Sequence, residues 1–399
     1  MYFSGQVVSL IGSWMQNMAQ GWLVLELTNS AFLLGLLQAV QFLPQLLLSL
    51  FAGVVVDRVD KRRLIIFTQS MLALQALVLA VLVWTGRARY WHVLILALVY
   101  GLVNTVDTPG RQAFVVEMVG REDLMNAIAL NSSAFNGARI VGPAVAGLVI
   151  GAVGMGMAFF LNGVSFLAVI AALAFMQVVR KARPVTRGNT ILGDVAEGIQ
   201  YIVRAPDVML PMLLIGLVSL FGMNFNIWVP VLAKIVLHEK ATGYGFLMSF
   251  MGAGALAGAL MLASVSHRGP KRSYLFGGAA ALGVLEIFAA VLHGYWISSI
   301  LLFWLGFSMI TISATANSMI QMVVPDHLRG RVMAVYSLVF GGVTPLGALL
   351  AGSVTSAWGI AGGFGVGGST TLLSLAAVWV WYRKARARRS MAQNLEPVG

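Results

Sequence analysis

Residues 53–63 read Gly53-Val54-Val55-Val56-Asp57-Arg58-Val59-Asp60-Lys61-Arg62-Arg63. The apolar run before Asp57 stops abruptly at six charged residues within seven positions. Charged side chains are costly inside a bilayer, whereas Lys and Arg are enriched in the short cytoplasmic loops of membrane proteins. We therefore interpret this stretch as a tight cytoplasmic turn between two membrane helices.

The composition points to the same class. Of the 399 residues, 59% are apolar and 10% are charged, whereas soluble domains carry about 25% charged residues. The apolar runs are continuous and roughly 20 residues long, the length that a helix needs to cross the bilayer, whereas a membrane barrel needs short alternating strands. The chain has no cysteine, which excludes disulfides and thiolate metal sites. We expect an all-helical protein that crosses the lipid bilayer many times.

Twelve apolar segments follow one another along the chain. They span, roughly, residues 3–25, 31–56, 64–85, 91–110, 124–153, 155–179, 207–234, 242–265, 274–292, 295–320, 331–355 and 358–382. The longest interruption divides them six and six, which predicts an N-terminal bundle (1–179), a cytoplasmic linker (180–206), a C-terminal bundle (207–382) and a basic tail (383–399). In the linker Leu192, Val195, Ile199 and Ile202 recur at helical spacing, which predicts an amphipathic helix at the membrane interface.

Positive charges are concentrated in alternate loops. If the N-terminus is cytoplasmic, 21 of the 26 Lys and Arg residues lie on the cytoplasmic side. The other side keeps Arg87, Arg89, Lys234 and Lys240. The positive-inside rule therefore predicts that both termini are cytoplasmic. Because the net charge of +12 is not gathered in one patch, we expect no nucleic-acid partner.

The two groups of six segments are similar to each other. A shift of 210 residues places Gly35 on Gly245, Arg58 on Arg268, Lys61 on Lys271, Arg62 on Arg272 and Asp107 on Asn317. Later, Pro143 falls on Pro345 at a shift of 202, so that the offset slips by eight residues. Chance matching in low-diversity apolar sequence is the alternative, but the ordered set predicts two homologous halves.

Two six-helix halves, an amphipathic linker and a short charged loop after the second segment resemble the major facilitator superfamily, whose transporters are built from repeated bundles. The resemblance covers nearly the whole chain. Gly53-x-x-x-Asp57-Arg58-x-x-x-Arg62-Arg63 resembles the superfamily's motif A, with Asp60 where a Gly is more usual. The resemblance implies a major facilitator fold of twelve membrane helices.

Further stretches resemble exporters. Gly137-x-x-x-x-Gly142-Pro143-x-x-x-Gly147 in the fifth segment resembles the Gly-Pro motif associated with exporters and implies antiport. Asp107-Thr-Pro109-Gly-Arg111-Gln112, Ala138-Arg139-Ile-Val-Gly142-Pro143 and Pro325-Asp-His-Leu-Arg329-Gly330-Arg331 resemble the bacterial branch with enterobactin-type siderophore exporters and drug or macrolide efflux proteins. That branch usually begins with a basic tail, whereas this chain starts almost within its first segment, so we expect a truncated or misassigned start.

Motif A predicts a gate. Gly53 should let the second helix approach a neighbour closely. The resemblance implies that Asp57 meets a partner near Arg331, at the start of the eleventh helix, and that this pair holds the halves together on the cytoplasmic side when the transporter faces outward. Arg58, Arg62 and Arg111 complete this expected set.

The alternative for the basic residues is that they only fix topology and contact anionic lipid. Under the 210-residue shift, Arg58 and Arg62 have basic counterparts, whereas Asp57 falls on His267. Asp57 is therefore the asymmetric residue, and we place the predicted gate there.

Polar residues in the first segment predict a substrate cavity. Gln6, Ser9, Ser13, Gln16, Asn17 and Gln20 recur at spacings of three and four residues, which places them on one helix face. Such a stripe is costly against lipid, so it should line a water-accessible cavity or form hydrogen bonds between helices. The residues expected at the cavity are Gln16, Asn17, Gln20, Asn104, Asn224, Asn226 and Trp228.

Few charges lie inside the apolar segments. Asp107 and Arg139, with Glu26 at the outer end of the first segment, are the coupling candidates, because ionisable groups inside a membrane are functional candidates by default. Asp107 and Arg111 are spaced to pair on one helix face, either for coupling or as a static pair. Arg139 lies near mid-membrane, where it could attract an anionic substrate group, couple to Asp107 when a proton leaves, or form a static Arg–Asp pair. For Glu286 we expect snorkelling to the outer interface, because the superfamily's ninth helix is peripheral.

The sequence shows no phosphate-binding loop, no histidine spacing typical of a metal site and no catalytic constellation. We expect no enzyme activity, cofactor or metal. The repeated halves predict alternating access around a site in mid-membrane. The resemblance implies a secondary active, proton-coupled exporter of amphiphilic small molecules such as drugs or siderophores in the bacterial inner membrane, which we expect to work as a monomer. A non-transporting receptor or scaffold on the same fold, and an importer or uniporter of the superfamily, are the alternatives.

Overall fold

The computed structural model describes residues 2–119, 123–176, 191–265 and 269–395, and within these ranges the chain is helical with no strand. The first half contains α1 (Tyr2–Thr28), α2 (Ala31–Arg58), α3 (Lys61–Trp84), α4 (Tyr90–Val119), α5 (Leu124–Val153) and α6 (Met155–Phe175). Ser30 caps α2 by accepting a hydrogen bond from Leu33 N, and Asp60 caps α3 by accepting one from Arg63 N at 2.9 Å. The unusual Asp60 of motif A thus satisfies a free N–H at the start of α3.

The remaining helices follow after residues 177–190, where part of the predicted linker lies outside the described residues. They are α7 (Ile191–Arg204), α8 (Pro206–Phe221), α9 (Phe225–Val231) with a π-helical turn (Leu232–Val236), α10 (Ala241–Ser264), α11 (Arg272–Val291), α12 (Tyr295–Val323), α13 (Asp326–Gly341) and α14 (Thr344–Leu395). The amphipathic helix predicted in the linker corresponds to α7.

Helix α14 consists of two arms that reverse direction at Gly359, which has φ 69° and ψ −174°. A Cβ at Gly363 would collide with Thr355 Oγ1. In one straight helix these two residues would lie about 12 Å apart along the axis, so the chain turns back between them. Gly154 between α5 and α6 has φ 89°. In both places a left-handed conformation that glycine adopts readily joins two antiparallel helices.

Ten helices in the described ranges are long and apolar enough to cross a membrane. Residues Asp326–Ala387 count as one of them but hold two crossings, because the chain reverses at Gly359. Helix α1 has 27 residues and is also long enough to cross. The all-helical, multi-pass membrane class is therefore confirmed, and the described helices are compatible with the twelve predicted crossings.

Two tyrosines show how the halves correspond. Tyr90 Oη donates to Leu33 O at 2.9 Å, and Tyr295 Oη donates to Gly243 O at 3.3 Å. Leu33 and Gly243 are 210 residues apart, as predicted, but Tyr90 and Tyr295 are 205 residues apart. Five residues of the first half, between Lys61 and Tyr90, therefore have no counterpart in the second half.

Helices of the two halves cross at glycines in two places, which we call the glycine crossings. The two crossings are related by the offsets of 210 and 205 residues found for the tyrosine contacts. A Cβ at Gly35 would lie 3.0 Å from Gly352 Cα, and a Cβ at Gly245 would lie 3.0 Å from Gly147 Cα. The absence of side chains lets α2 approach the first arm of α14, and α5 approach α10, as small residues do in membrane interfaces.

The sequence alignment of the halves needs correction beyond Tyr90. A Cβ at Gly35 would meet Ala348 O, and a Cβ at Gly245 would meet Pro143 O. Pro143 therefore corresponds to Ala348 rather than to Pro345, and the slip is five residues rather than eight. By the same offset, Asp107 corresponds to Ile312 rather than to Asn317. The sequence alone placed the slip wrongly because glycine and proline recur often in these helices.

The halves also meet at one end of the bundle. We call the end with residues 58–63 and the start of α13 the basic end, and the other the opposite end. At the opposite end, Lys234 Nζ donates to Leu25 O at 2.5 Å and to Asn29 Oδ1 at 2.9 Å. The rings of Trp22 and Tyr244 stack there at 5.5 Å. These contacts close the opposite end.

Candidate functional site

Asp107 lies at the centre of a buried polar network in the first half. Its side chain is 0% exposed. Oδ1 accepts hydrogen bonds from Thr68 Oγ1 at 2.5 Å and from Gln69 Nε2 at 3.0 Å. Oδ2 accepts one from Arg111 Nε at 2.6 Å, the pairing expected from their spacing. Each carboxylate oxygen is therefore satisfied, and the charge is neutralised within its own helix.

The second half replaces this network by apolar packing. Ile312, Ala316, Gly278 and Ala279 occupy the positions of Asp107, Arg111, Thr68 and Gln69. Ile312 is 0% exposed, and its Cγ1 lies 3.0 Å from the position that a Cβ would take at Gly278. Buried ion pairs and well-packed apolar groups of similar volume are often energetically equivalent. The network thus has the features of a structural element, which is one of the two alternatives for Asp107.

The polar stripe of α1 mainly joins helices of the first half. Gln16 donates to Gln75 Oε1 at 2.9 Å and accepts from Asn162 Nδ2 at 2.6 Å. Gln20 donates to Gln41 Oε1 at 3.4 Å. Gln16 and Gln20 are 1% and 2% exposed, so they form interhelical hydrogen bonds in this conformation. Half-buried Asn17 accepts from Gln41 Nε2 at 3.1 Å.

The other residues expected at the substrate cavity lie apart. Half-buried Asn104 on α4 accepts from Thr108 Oγ1 at 3.4 Å, and Asn226 on α9 is exposed. Asn224 lies in the break between α8 and α9 and donates to Leu220 O at 3.0 Å.

Trp228 was also expected at the cavity, but it is 1% exposed and packs on Phe225 and Phe364 at ring distances of 5.8 and 5.1 Å. In this conformation it belongs to the core of the second half. Its amphipathic ring suggested a cavity, but its neighbours in the fold are apolar.

Arg139 lies where α5 crosses α10. A Cβ at Gly252 would lie 3.0 Å from Arg139 O. The guanidinium Nη2 is buried and donates no hydrogen bond to any residue that the structure describes. Glu26 is exposed at the opposite end and accepts from Trp22 Nε1 at 2.7 Å.

The basic residues of motif A fasten neighbouring helices. Arg62 donates from Nε to Leu173 O at 2.8 Å and from Nη2 to Ala174 O at 2.9 Å. These carbonyls belong to the last turn of α6, where intrahelical donors are lacking. Lys61 pairs with Glu117 of α4 at 3.2 Å. Arg58 is exposed at the end of α2.

The close approach expected at Gly53 is absent: within the described part of the chain, a Cβ there would meet no atom within 4 Å. Small size alone does not place a neighbour beside a glycine. The side chain of Asp57 lies outside the described residues.

The start of α13 contacts the linker helix. Arg331 Nη1 pairs with Glu197 Oε2 at 2.6 Å. A Cβ at Gly198 would lie 3.1 Å from Arg331 O. On α7, Ile202 is 5% exposed and Ile199 is 47% exposed, so one apolar residue faces the bundle and the other does not.

The exporter-like motif places α5 between the two halves. A Cβ at Gly142 would collide with Trp14 of α1, whereas Gly147 faces Gly245 of α10. The carbonyl of Pro143 lies at the same crossing, and Gly137 has no described atom within 4 Å of its Cβ position. Gly142, Pro143 and Gly147 thus serve helix packing in this conformation.

Glu286 is the buried group that the sequence prediction placed wrongly. Instead of snorkelling to the outer interface, its side chain is 0% exposed. Neither carboxyl oxygen has a hydrogen-bond partner within the described ranges. The prediction assumed that Glu286 points outward because the superfamily's ninth helix lies at the periphery of the bundle. The available signal was a lone carboxylate in the apolar run 274–292, far from any basic residue in sequence.

A groove with a volume of ≈ 1170 Å³ lies between α11 and the second arm of α14, near the basic end. Its lining includes Arg272, Phe276, Trp379, Tyr382 and Arg383. None of the residues predicted at the substrate cavity belongs to it, so this peripheral groove is not the predicted cavity.

Two pseudo-symmetric six-helix bundles, joined by glycine crossings and closed at one end, define a transporter of the major facilitator superfamily. The model of the transmembrane secretion effector family matches residues 2–397. The chain therefore belongs to the transmembrane secretion effector family, and the predicted superfamily is confirmed.

Curated relatives have efflux-type names. The chain is 26% identical over 394 residues to the staphyloferrin A transporter of Staphylococcus aureus, with 97% of each chain covered. It is 27% identical over 347 residues to the multidrug efflux pump Tap of Mycolicibacterium fortuitum, with 85% of this chain and 84% of that protein covered. Macrolide efflux protein A of Streptococcus pyogenes is 22% identical over 358 residues, with 87% of each covered.

A solved structure supports the fold. A bacterial homologue of the human lysosomal transporter Spinster, in an inward-facing and unoccupied conformation, matches with a TM-score of 0.72. It is 13% identical, and the match covers 95% of each chain. This chain is thus a multi-pass membrane transporter of small molecules, from a family of transporters rather than enzymes.

Proposed function

We propose that this protein is a proton-coupled exporter that moves amphiphilic small molecules, such as drugs or siderophores, out of a bacterial cell by alternating access. The observation that carries the proposal is the closure of the opposite end by Lys234, by the Trp22–Tyr244 stack and by the two glycine crossings. Two similar bundles that meet at one end can rock about a site between them. The names of the efflux and siderophore relatives favour export and this substrate class.

The proposal includes the orientation predicted from the loops, with both termini in the cytoplasm of the inner membrane, and function as a monomer. The basic end then faces the cytoplasm, and the conformation described is closed to the outside. A substrate would enter from the cytoplasm, and Arg139 would attract an anionic group on it. A gate formed by Asp57 and Arg331 remains part of this proposal.

Accumulation assays test this function. Cells with and without the protein are loaded with a fluorescent dye or a siderophore, and retention is followed before and after a protonophore is added. We expect lower retention in expressing cells and loss of the difference with the protonophore. Unchanged retention of every compound would favour a non-transporting receptor. Efflux that is insensitive to the protonophore would refute proton coupling.

The gate has its own assay. We expect Asp57→Asn to reduce efflux while the protein remains inserted at normal levels, because a neutral amide cannot form an ion pair with an arginine. Arg87→Gln at the other end of the bundle is the matched control. Full efflux by Asp57→Asn would remove the gate from the mechanism.

A further inference from the structure

We propose that Glu286 is a proton-binding site that controls a hinge in the seventh membrane crossing. This inference rests on the proposed proton-coupled function and assigns a site to it. Glu286 lies on α11, 14 residues after Arg272 at the basic end and five residues before Val291. At ~1.5 Å per residue this places it in the half of the membrane nearer the opposite end.

The hinge is the break between α8 and α9. Helix α8 ends at Phe221 and α9 begins at Phe225, and neither helix continues through residues 222–224. Discontinuous helices mark substrate and ion sites in secondary transporters, because their free backbone groups and loose geometry allow movement. Pro230 within α9 and the π-helical turn beyond it loosen the same segment further.

The carboxyl group of Glu286 reaches this break. Its Oε1 lies 3.3 Å from the position that a Cβ would take at Gly222. The same position would collide with Thr371 Oγ1 from the second arm of α14. Glu286 and Thr371 therefore approach the hinge from two helices, and Thr371 Oγ1 also lacks a hydrogen-bond partner within the described ranges.

Within the described ranges, no charged group bonds to the carboxyl oxygens. The described neighbours of Glu286 include Gly222 at the end of α8 and Gly368 and Thr371 on α14. Helix α12, which also packs on α11, carries no Asp, Glu, Lys, Arg or His between Tyr295 and Val323, and the charged groups Asp207, Arg272 and Arg383 lie towards the basic end. An isolated carboxylate in such surroundings is strongly disfavoured, so the neutral acid is the form that fits this conformation.

The hinge connects Glu286 to the closed end. Helix α9 leads directly into the turn that carries Lys234, whose ammonium group binds Leu25 O and Asn29 Oδ1 of the first half. Ionisation of Glu286 requires water, and the break at residues 222–224 is a neighbouring segment whose movement would admit it. Loss of the proton should therefore displace α9, release Lys234 and open the opposite end. Binding of a proton should close that end again.

The first half shows no equivalent group. Ala76 occupies the position of Glu286 and Phe166 that of Thr371, and both are buried. The ionisable site is therefore a property of the second half rather than a demand of the shared fold.

A carbodiimide tests the site directly on the unmodified protein. Dicyclohexylcarbodiimide reacts with protonated carboxyl groups in apolar surroundings, and mass spectrometry locates the adduct. We expect labelling of Glu286 at acidic and neutral pH, decreasing as the pH is raised, and no labelling of the ion-paired Asp107. Absence of an adduct on Glu286 at every pH would overturn the proposal.

A distance measurement tests the hinge. The chain has no cysteine, so spin labels at Arg87→Cys and Trp296→Cys, both exposed near the opposite end, report its opening without further changes. We expect the distance to increase with pH in the otherwise native protein and to stay short at all pH values when Glu286→Gln is added, because glutamine mimics the neutral acid. An equal pH response in both proteins would refute the control of the hinge.

Different results would refute the proton site at Glu286 and the proposed export function. If Glu286 is labelled and the end opens with pH while efflux ignores a protonophore, proton-coupled export fails and the proton site stands. If efflux depends on the protonophore while Glu286 is unlabelled and Glu286→Gln transports normally, the exporter stands and the site is refuted.

Discussion

Among the residues that the structure describes, each half of this transporter buries one carboxyl group where the other half has an apolar residue, and the surroundings of the two groups differ. Asp107 accepts hydrogen bonds from Thr68, Gln69 and Arg111, whereas neither oxygen of Glu286 has a partner within the described ranges. The network around Asp107 joins neighbouring helices and leaves no carboxylate oxygen unsatisfied. A buried carboxyl group without a partner costs stability, so packing alone does not account for Glu286.

The comparison also shows what the duplication leaves constant. The glycine crossings, the tyrosine hydrogen bonds and the glycine turns at Gly154 and Gly359 occur in both halves. These elements set the distances between backbones, which both halves need for the same fold. The buried carboxyl groups differ because they do not determine those distances.

The largest loss of stability should come from removing only one partner of the Asp107–Arg111 ion pair. Asp107→Ala leaves the buried guanidinium of Arg111 without this counter-charge, which costs about 3–5 kcal/mol in comparable buried pairs. Thermal unfolding of purified protein in detergent measures the loss. A stability equal to that of the unchanged protein would contradict the structural role.

Copying the second half into the first should recover most of that loss. The fourfold substitution Asp107→Ile, Arg111→Ala, Thr68→Gly and Gln69→Ala installs the residues found at Ile312, Ala316, Gly278 and Ala279, so neither a charge nor a hydrogen-bond donor of the network loses its partner. We expect a destabilisation of less than about 2 kcal/mol, since apolar replacements of buried pairs are often neutral. If the fourfold variant unfolds as easily as Asp107→Ala, the halves are not equivalent at this place.

Crowding a glycine crossing should have a smaller effect. A Cβ at Gly245 would meet Pro143 O and Gly147, so Gly245→Ala should destabilise the closed opposite end by about 1–3 kcal/mol. Gly137→Ala is the matched control, because no described atom lies within 4 Å of its Cβ position. Alanine there should be neutral or stabilising by up to about 1 kcal/mol. Spin-label distances across the opposite end and thermal unfolding distinguish the two variants.

The smallest change in stability is expected at Glu286. Glu286→Gln should shift the unfolding free energy by less than about 1 kcal/mol, since it replaces one unpartnered polar group by another of similar volume. Unfolding at neutral pH checks this, with Asp107→Asn as the comparison that should cost more. A loss as large as that of Asp107→Ala would make Glu286 a structural residue.

Much of the fold follows from local sequence. The run that ends at residues 57–63 indicates a helix end at a membrane surface, and Arg58 and Lys61 are the residues at which α2 ends and α3 begins. The spacing of Asp107 and Arg111 predicts their contact because side chains four residues apart share a helix face. Patterns of this kind depend only on residues that are close together in the chain, so they can be recognised in a single sequence.

Only the tertiary structure shows the contacts that depend on which helices are neighbours. The stripe of α1 indicated polar contacts, but only the positions of Gln75 and Asn162 turned Gln16 inward. The five-residue slip became visible only through the contacts of Tyr295 and Gly352. Glu286 is a lone carboxyl group in sequence, and only the packing of α11 against the hinge and α14 shows that it is buried without a partner, because burial is a property of neighbours that are distant in the chain.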